Sequence, residues 1–235
     1  MVNILAGQKG TANSSPTSTT NGWVGNCLVT NGASPSVTFS GMTASSTSNG
    51  SCAIIVYVTT SAGLQSAFAT STVNSGWFFG GNNSSKLSIY NGSVSTASTI
   101  SISANTPYFL AYSALNGTAT NFLALNLSNG VLQTQVAASP GAATAGNGTY
   151  IVGNDTFNDV CTADIHAVAY FDSYIPMSTL IQWATDPWAF WYPRVGPSID
   201  VWHGTFAAAS AVRFRKTLSQ IGGRVGTRQP QGWAN

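Results

Sequence analysis

Apolar positions along this chain recur mainly with a period of two, the spacing that puts every second side chain of an extended strand on one face. Short runs of this kind, rich in β-branched and aromatic residues and bounded by Gly, Asn and Ser, predict strands over residues 23–30, 36–39, 64–71, 76–80, 86–90, 99–103, 108–114 and 149–153. Residues 51–59, SCAIIVYVT, are almost continuously apolar, the mark of a central strand buried on both faces or across a sheet interface. The runs LALNLS and VLQTQV flank Asn129-Gly130 and predict a hairpin over residues 122–136, closed by a type I′ turn with positive φ at both turn residues. Gly80-Gly81, followed by Asn82 and Asn83, reads as a turn.

Residues 164–194, DIHAVAYFDSYIPMSTLIQWATDPWAFWYPR, organise the rest. Ile165, Ala167, Ala169 and Phe171 alternate with His166, Val168, Tyr170 and Asp172 as a last strand. A short helix follows, with Pro176 in its first turn and Leu180, Trp183 and Ala184 along one face. Asp186 ends it, because a residue before proline is pushed out of the helical region. Trp188, Phe190, Trp191 and Tyr192 then crowd into five positions and are expected to be buried against the domain. Residues 1–22, dominated by Gly, Ser, Thr and Asn, read as an N-terminal arm. Residues 23–194 read as one sandwich domain and residues 195–235 as a basic C-terminal extension.

Many short strands, regular turns and almost no helix predict an all-β, two-sheet antiparallel sandwich. The last strand, the short helix and the closing Asp186-Pro187-Trp188-Ala189-Phe190, together with Trp183, resemble the C-terminal signature of laminin-G-like, concanavalin A-like lectin sandwiches of tailed bacteriophages and prophages. That resemblance implies jelly-roll connectivity with one short C-terminal helix and a C-terminal arm. The chain departs from the usual form where Pro176 and Thr179 replace a Ser cap and a Glu.

Composition adds that only 6% of residues are charged and none is Glu. All six acids lie between Asp155 and Asp200, and six of the eight basic residues lie from Arg194 onward. A nearly neutral surface favours association with copies of the chain or with a partner. The start of the chain has neither the basic region nor the apolar length of a signal peptide, and no stretch is long enough to span a bilayer, so synthesis in the host cytoplasm is expected. Cys27, Cys52 and Cys161 lack the paired spacing of a zinc ribbon and are expected to be buried free thiols, a Cys27–Cys52 disulfide being the minor alternative.

Paired-carboxylate hydrolysis is disfavoured, since the sandwich hydrolases place alternating Glu on one strand and this chain has none. No Gly-x-Ser-x-Gly elbow accompanies His166 or His203, so no catalytic residue is assigned. Asn154, Asp155, Asn158 and Asp159 cluster oxygens that suit calcium, and the resemblance implies such a site at one sandwich edge. A polar loop bonding its own backbone is the favoured reading, so no metal or other cofactor is expected and Asp155 and Asp159 stay a weak candidate. Arg213, Phe214, Arg215, Lys216, Arg224, Arg228 and Trp233 form the candidate partner-binding set, because Arg forks pair with carboxylates and aromatics anchor in pockets. Five charges in a Gly-broken segment are few for nucleic acid.

Two functions follow. The main expectation is a non-enzymatic structural protein of a tailed-phage virion, a capsid decoration or head or tail accessory subunit. Such a protein would dock through its arms on copies of itself, the major capsid protein or a tail component. The alternative is a carbohydrate-binding or host-recognition module of a phage tail or fibre, with a host glycan as ligand.

Overall fold

The computed structural model describes residues 11–13, 17–20, 26–31, 36–61, 65–71, 75–82, 84–154, 159 and 161–188. The chain divides into two compact units, residues 1–187 and 188–235, and of the second only Trp188 is described.

The first unit is built from β1 (Thr11–Asn13), β2 (Thr17–Thr20), β3 (Asn26–Asn31), β4 (Ser36–Phe39), β5 (Asn49–Val58), β6 (Gln65–Ala69) and β7 (Phe78–Gly81). It continues with β8 (Lys86–Tyr90), β9 (Ser95–Ser101), β10 (Thr106–Leu115), β11 (Ala119–Asn126), β12 (Leu132–Ala137), β13 (Tyr150–Val152), β14 (Thr162–Phe171) and α1 (Met177–Thr185). One sheet has the order β1-β4-β13-β6-β7-β8-β9 and the other β12-β11-β10-β5-β14-β3-β2. Every neighbouring pair in both is antiparallel. Half of the neighbouring pairs are consecutive in sequence and half, among them β4–β13, β5–β14 and β3–β14, are crossovers between distant strands, and the predicted all-β sandwich with one short helix is the observed architecture.

Strand periodicity explains where the core lies. Cys52, Ile54, Val56 and Val58 of β5 face the other sheet, meeting Phe79, Leu87 and Ile89, and the rings of Phe79 and Tyr112 approach to 4.8 Å. The opposite face of β5, with Ser51, Ala53 and Ile55, is equally buried, as its continuous apolar run predicts. Helix α1 supplies cover on that side through Leu180, Trp183 and Ala184, the three positions its spacing predicts, and Trp183 packs 5.3 Å from Phe171. Polar pins fix the approach to the helix: Ile175 N–H donates to Ser113 Oγ at 2.7 Å and Asn121 Nδ2 to Tyr174 Oη at 2.8 Å.

Several local expectations are corrected. A bulge between Ile165 and Ala167 breaks the simple alternation of β14, so Ile165 packs between the sheets whereas Phe171 faces α1. The extra residue at His166 exchanges the two faces, and Val168 and Tyr170 take the core side. Pro176 is the N-cap of α1, with extended ψ of 148°, and not part of its first turn. Asp186 caps the helix end as predicted, Pro187 is buried, and Trp188 is half-buried. The hairpin exists, but Asn126 N–H bonds Val131 O and Gly130 N–H bonds Asn126 O, which makes a four-residue loop in place of a type I′ turn. Gly130 has φ +73° and Asn129 is not left-handed; its Oδ1 accepts Val131 N–H, and Asn126 Oδ1 accepts Ser128 N–H. Asx side chains thus stabilise a longer loop that needs positive φ at one residue only. Residues 11–13 and 17–20, expected in an arm, are edge strands paired with β4 and β3. Residues 80–81 belong to strand β7, and the turn starts at Asn82. Phe190 and Trp191 lie outside the described residues.

Candidate functional site

On β7 and β8 the residues that point into the core are Phe79, Leu87 and Ile89. Alternation therefore turns Phe78, Ser88 and Tyr90 to the outer face of the sheet. Phe78 and Tyr90 are direct cross-strand partners, and their rings lie 5.6 Å apart at 52°. With Ala69 and Ile151 they make a small apolar patch on that face. Next to the patch a cavity of about 290 Å³ opens, with Tyr90 and Phe78 on one side and Gln65, Ser66, Asn82 and Asp159 among its polar lining.

Each polar group is held by local structure. Asn82 Oδ1 accepts the N–H groups of Ser84 at 3.0 Å and Lys86 at 3.2 Å, closing the β7–β8 turn; its Nδ2 donates to no group among the described residues. Gln65 Oε1 accepts Thr162 N–H at 2.6 Å, which anchors its amide to the start of β14. Ser66 is 5% exposed and its Oγ has no hydrogen-bond partner among the described residues, although a buried hydroxyl is ordinarily satisfied. Its N–H donates to Asp159 O at 2.8 Å, so β6 fixes the backbone that carries the Asp159 carboxyl. Lys86 Nζ is occupied by Thr99 O and Ser101 Oγ at 3.1 and 2.6 Å.

The floor depends on Gly80. A bulge on β6 between Ser66 and Phe68 brings that strand so close that a Cβ on Gly80 would stand 1.7 Å from Gln65 O. Gly80→Ala should therefore cost about 1–3 kcal/mol, seen as a lower thermal midpoint, because backbone and not a flexible side chain must give way.

Burial raises the Asp159 carboxyl above its ordinary value. The proton is thus bound more tightly in the folded chain than in the unfolded one, and stability falls as pH rises from the unfolded value through the raised one. Asp159→Asn should remove that slope, leaving the variant relatively more stable at neutral pH than in acid, as denaturant titrations across the acidic range would report.

The cavity offers an aromatic wall beside amide, hydroxyl and carboxylate groups. Among the described residues its lining includes one carboxylate and no imidazole, thiol or cation. Glycoside hydrolysis by the usual route needs two carboxyls, about 5 to 10 Å apart. Among the described residues no three His, Cys, Asp or Glu side chains converge on a metal position. A second space, about 40 Å³ between the sheets, is largely apolar and borders Cys161, whose thiol burial pushes up to about 12. Cys27, Cys52 and Cys161 are all buried thiols outside any disulfide, and no Cys27–Cys52 bridge forms.

Of the residues singled out in the sequence, Asp159 lines the cavity, while Asn154 is buried and His166 half-buried at the β14 bulge. Asp155, Asn158 and His203 lie outside the described residues, as does the whole set Arg213, Phe214, Arg215, Lys216, Arg224, Arg228 and Trp233. Trp183, Asp186 and Pro187 serve the helix and its exit. Ser66, Phe78, Asn82 and Tyr90 were not anticipated as site residues. The alternation of residues 86–90 placed Tyr90 on a face, but only the sheet order puts β6 and Asp159 beside it.

No protein-family model and no curated protein sequence matches the chain. Solved structures do. The tailspike protein 2 of an Escherichia coli O157:H7 bacteriophage superposes with a TM-score of 0.52 at 13% identity, over 77% of this chain and 27% of the tailspike. The binding domain of botulinum neurotoxin serotype G gives 0.52 at 13%, over 79% and 48%. A GH54 α-L-arabinofuranosidase gives 0.52 at 12%, over 72% and 42%. The fold is a concanavalin A-like, two-sheet antiparallel sandwich. At such identities the likeness concerns the fold alone, and the chain spans less than half the length of each of these proteins. No helix among the described residues is long and apolar enough to cross a membrane.

Proposed function

We propose that this chain is a non-enzymatic saccharide-binding module of the kind a phage tail or fibre carries. The observation that carries this reading is the outer-face cavity, where the Tyr90–Phe78 wall stands beside Asn82 Nδ2, the unpartnered Ser66 Oγ and the Asp159 carboxyl. A sugar ring presents an apolar face to an aromatic plane and hydroxyls to surrounding donors and acceptors, and a cavity of this size suits one or two residues of a glycan. With Asp159 as the charged group and Lys86 engaged elsewhere, the ligand is neutral; uronates and sialic acids would meet an unfavourable carboxylate.

The likeness to a phage tailspike, a toxin binding domain and an arabinofuranosidase supports this reading over capsid decoration. The decoration reading draws on the resemblance, the nearly neutral surface and the terminal arms, and the basic segment beyond residue 194 lies outside the described residues, whereas every group of the cavity named above is described. Fold by itself does not decide function, so the test must be direct. The full chain should bind neutral oligosaccharides on an array of bacterial surface glycans, with titration calorimetry giving a saturable isotherm and no product released on prolonged incubation. Failure to bind any glycan on such an array, or release of reducing ends from one of them, would overturn the proposal.

A further inference from the structure

Asn-Gly pairs are where an asparagine side chain cyclises most readily, because no Cβ on the following residue shields its nitrogen. Five such pairs lie among the described residues: Asn49-Gly50, Asn91-Gly92, Asn116-Gly117, Asn129-Gly130 and Asn147-Gly148. The structure protects four of them. Gly50 is buried in the β5–β10 ladder. Asn91 is 2% exposed, and its amide donates to Pro140 O and Ala142 O while Oδ1 accepts from Ser93 and Val94. Gly130 N–H is committed to Asn126 O at 2.8 Å. Asn147 Oδ1 accepts Thr149 N–H, and Gly148 is buried so tightly that a Cβ there would stand 2.3 Å from Met42 O.

Asn116-Gly117 has none of these restraints, and it differs from the equally exposed Asn129-Gly130 in the hydrogen bonds of the reacting groups. Both residues are exposed at the β10–β11 turn, the Asn116 side-chain amide and the Gly117 N–H have no hydrogen-bond partner among the described residues, and a Cβ on Gly117 would find nothing within 4 Å. The turn is closed around them by Thr118 N–H to Leu115 O, which uses neither reacting group.

We propose that Asn116 is a site of spontaneous deamidation in the folded protein. Gly117 N loses its proton and attacks Asn116 Cγ, the new N–Cγ bond forms as the C–NH₂ bond breaks, and ammonia departs to leave a succinimide. Water then opens the ring at either carbonyl, giving aspartate or, with one extra main-chain carbon, isoaspartate. The sum is Asn plus water to acid plus ammonia, with no oxidant and no catalyst. Each event adds a negative charge to a chain whose formal net charge is +2.

Peptide mapping of the native full chain, aged in heavy-oxygen water at mildly alkaline pH, tests this. Label and isoaspartate should accumulate first at Asn116, with Asn91 and Asn129 roughly tenfold slower or more, the factor that one hydrogen bond at the reacting groups supplies. In denaturant the difference should vanish. Gly117→Ala should slow the reaction, and Asn116→Ser should abolish the early label even if the alanine strains the turn at φ +69°. Equal rates at Asn116 and Asn129 in the folded chain would overturn the proposal.

Discussion

Trp77→Ala should lower the melting temperature by roughly 6–20 °C, from a loss of about 3–5 kcal/mol at about 2–4 °C per kcal/mol for a chain of this size. The indole is fully buried between the sheets. It lies so close to β5 that a Cβ on Gly50 would stand 2.9 Å from Nε1, and that Nε1 donates to Ser46 O at 2.9 Å. Its backbone N–H donates to the buried Thr70 Oγ1 at 2.7 Å, so the same residue joins β5, the segment before it and the end of β6. Alanine removes the ring, leaves a void that the stiff strands around it cannot close, and orphans the Ser46 carbonyl. Trp77→Phe should recover part of the packing but not the hydrogen bond, falling between the two in calorimetry. A change below about 3 °C for Trp77→Ala would mean that this end of the sandwich contributes little to cooperative folding.

What was legible in the sequence was local. The two-sided burial of β5, the limits of β4 and β8, and the buried face of α1 follow from apolar spacing because each depends on residues within one turn or one pleat of each other. Features set by distant partners were not legible. His166 looks like any polar strand residue until Val56 and Ile55 pair on either side of it and force the bulge. The Asn129-Gly130 pair carries a type I′ signal, but Asn126 and Asn129 side chains capture backbone N–H groups and favour a longer loop. Residues 11–13 and 17–20 have no apolar pattern of their own and become strands only because β4 and β3 present unpaired edges. The candidate site is the extreme case: Ser66, Asn82, Tyr90 and Asp159 come from four segments that converge through sheet order, so only Asp159 was marked, and for a different chemistry.

Tyr90→Ala should weaken saccharide binding about 30-fold or more, the loss of about 2 kcal/mol typical of an aromatic anchor, while leaving the fold intact. The ring is half-buried on the outer face and held against Phe78 by cross-strand register, so it contributes less to the core than Trp77 and is already oriented for a ligand. Tyr90→Phe keeps the plane and should retain most of the affinity. Ser66→Ala separates the site from the scaffold more sharply. Removing a buried hydroxyl that bonds nothing among the described residues should leave the melting temperature unchanged or slightly higher, whereas a ligand that uses this Oγ should lose about 1 kcal/mol, roughly fivefold in Kd. Calorimetric titration of both variants with the glycan selected on the array, beside their thermal scans, decides the matter. If Tyr90→Ala and Ser66→Ala bind as the parent does while folding normally, the saccharide sits elsewhere on the chain and the outer-face cavity is not its site.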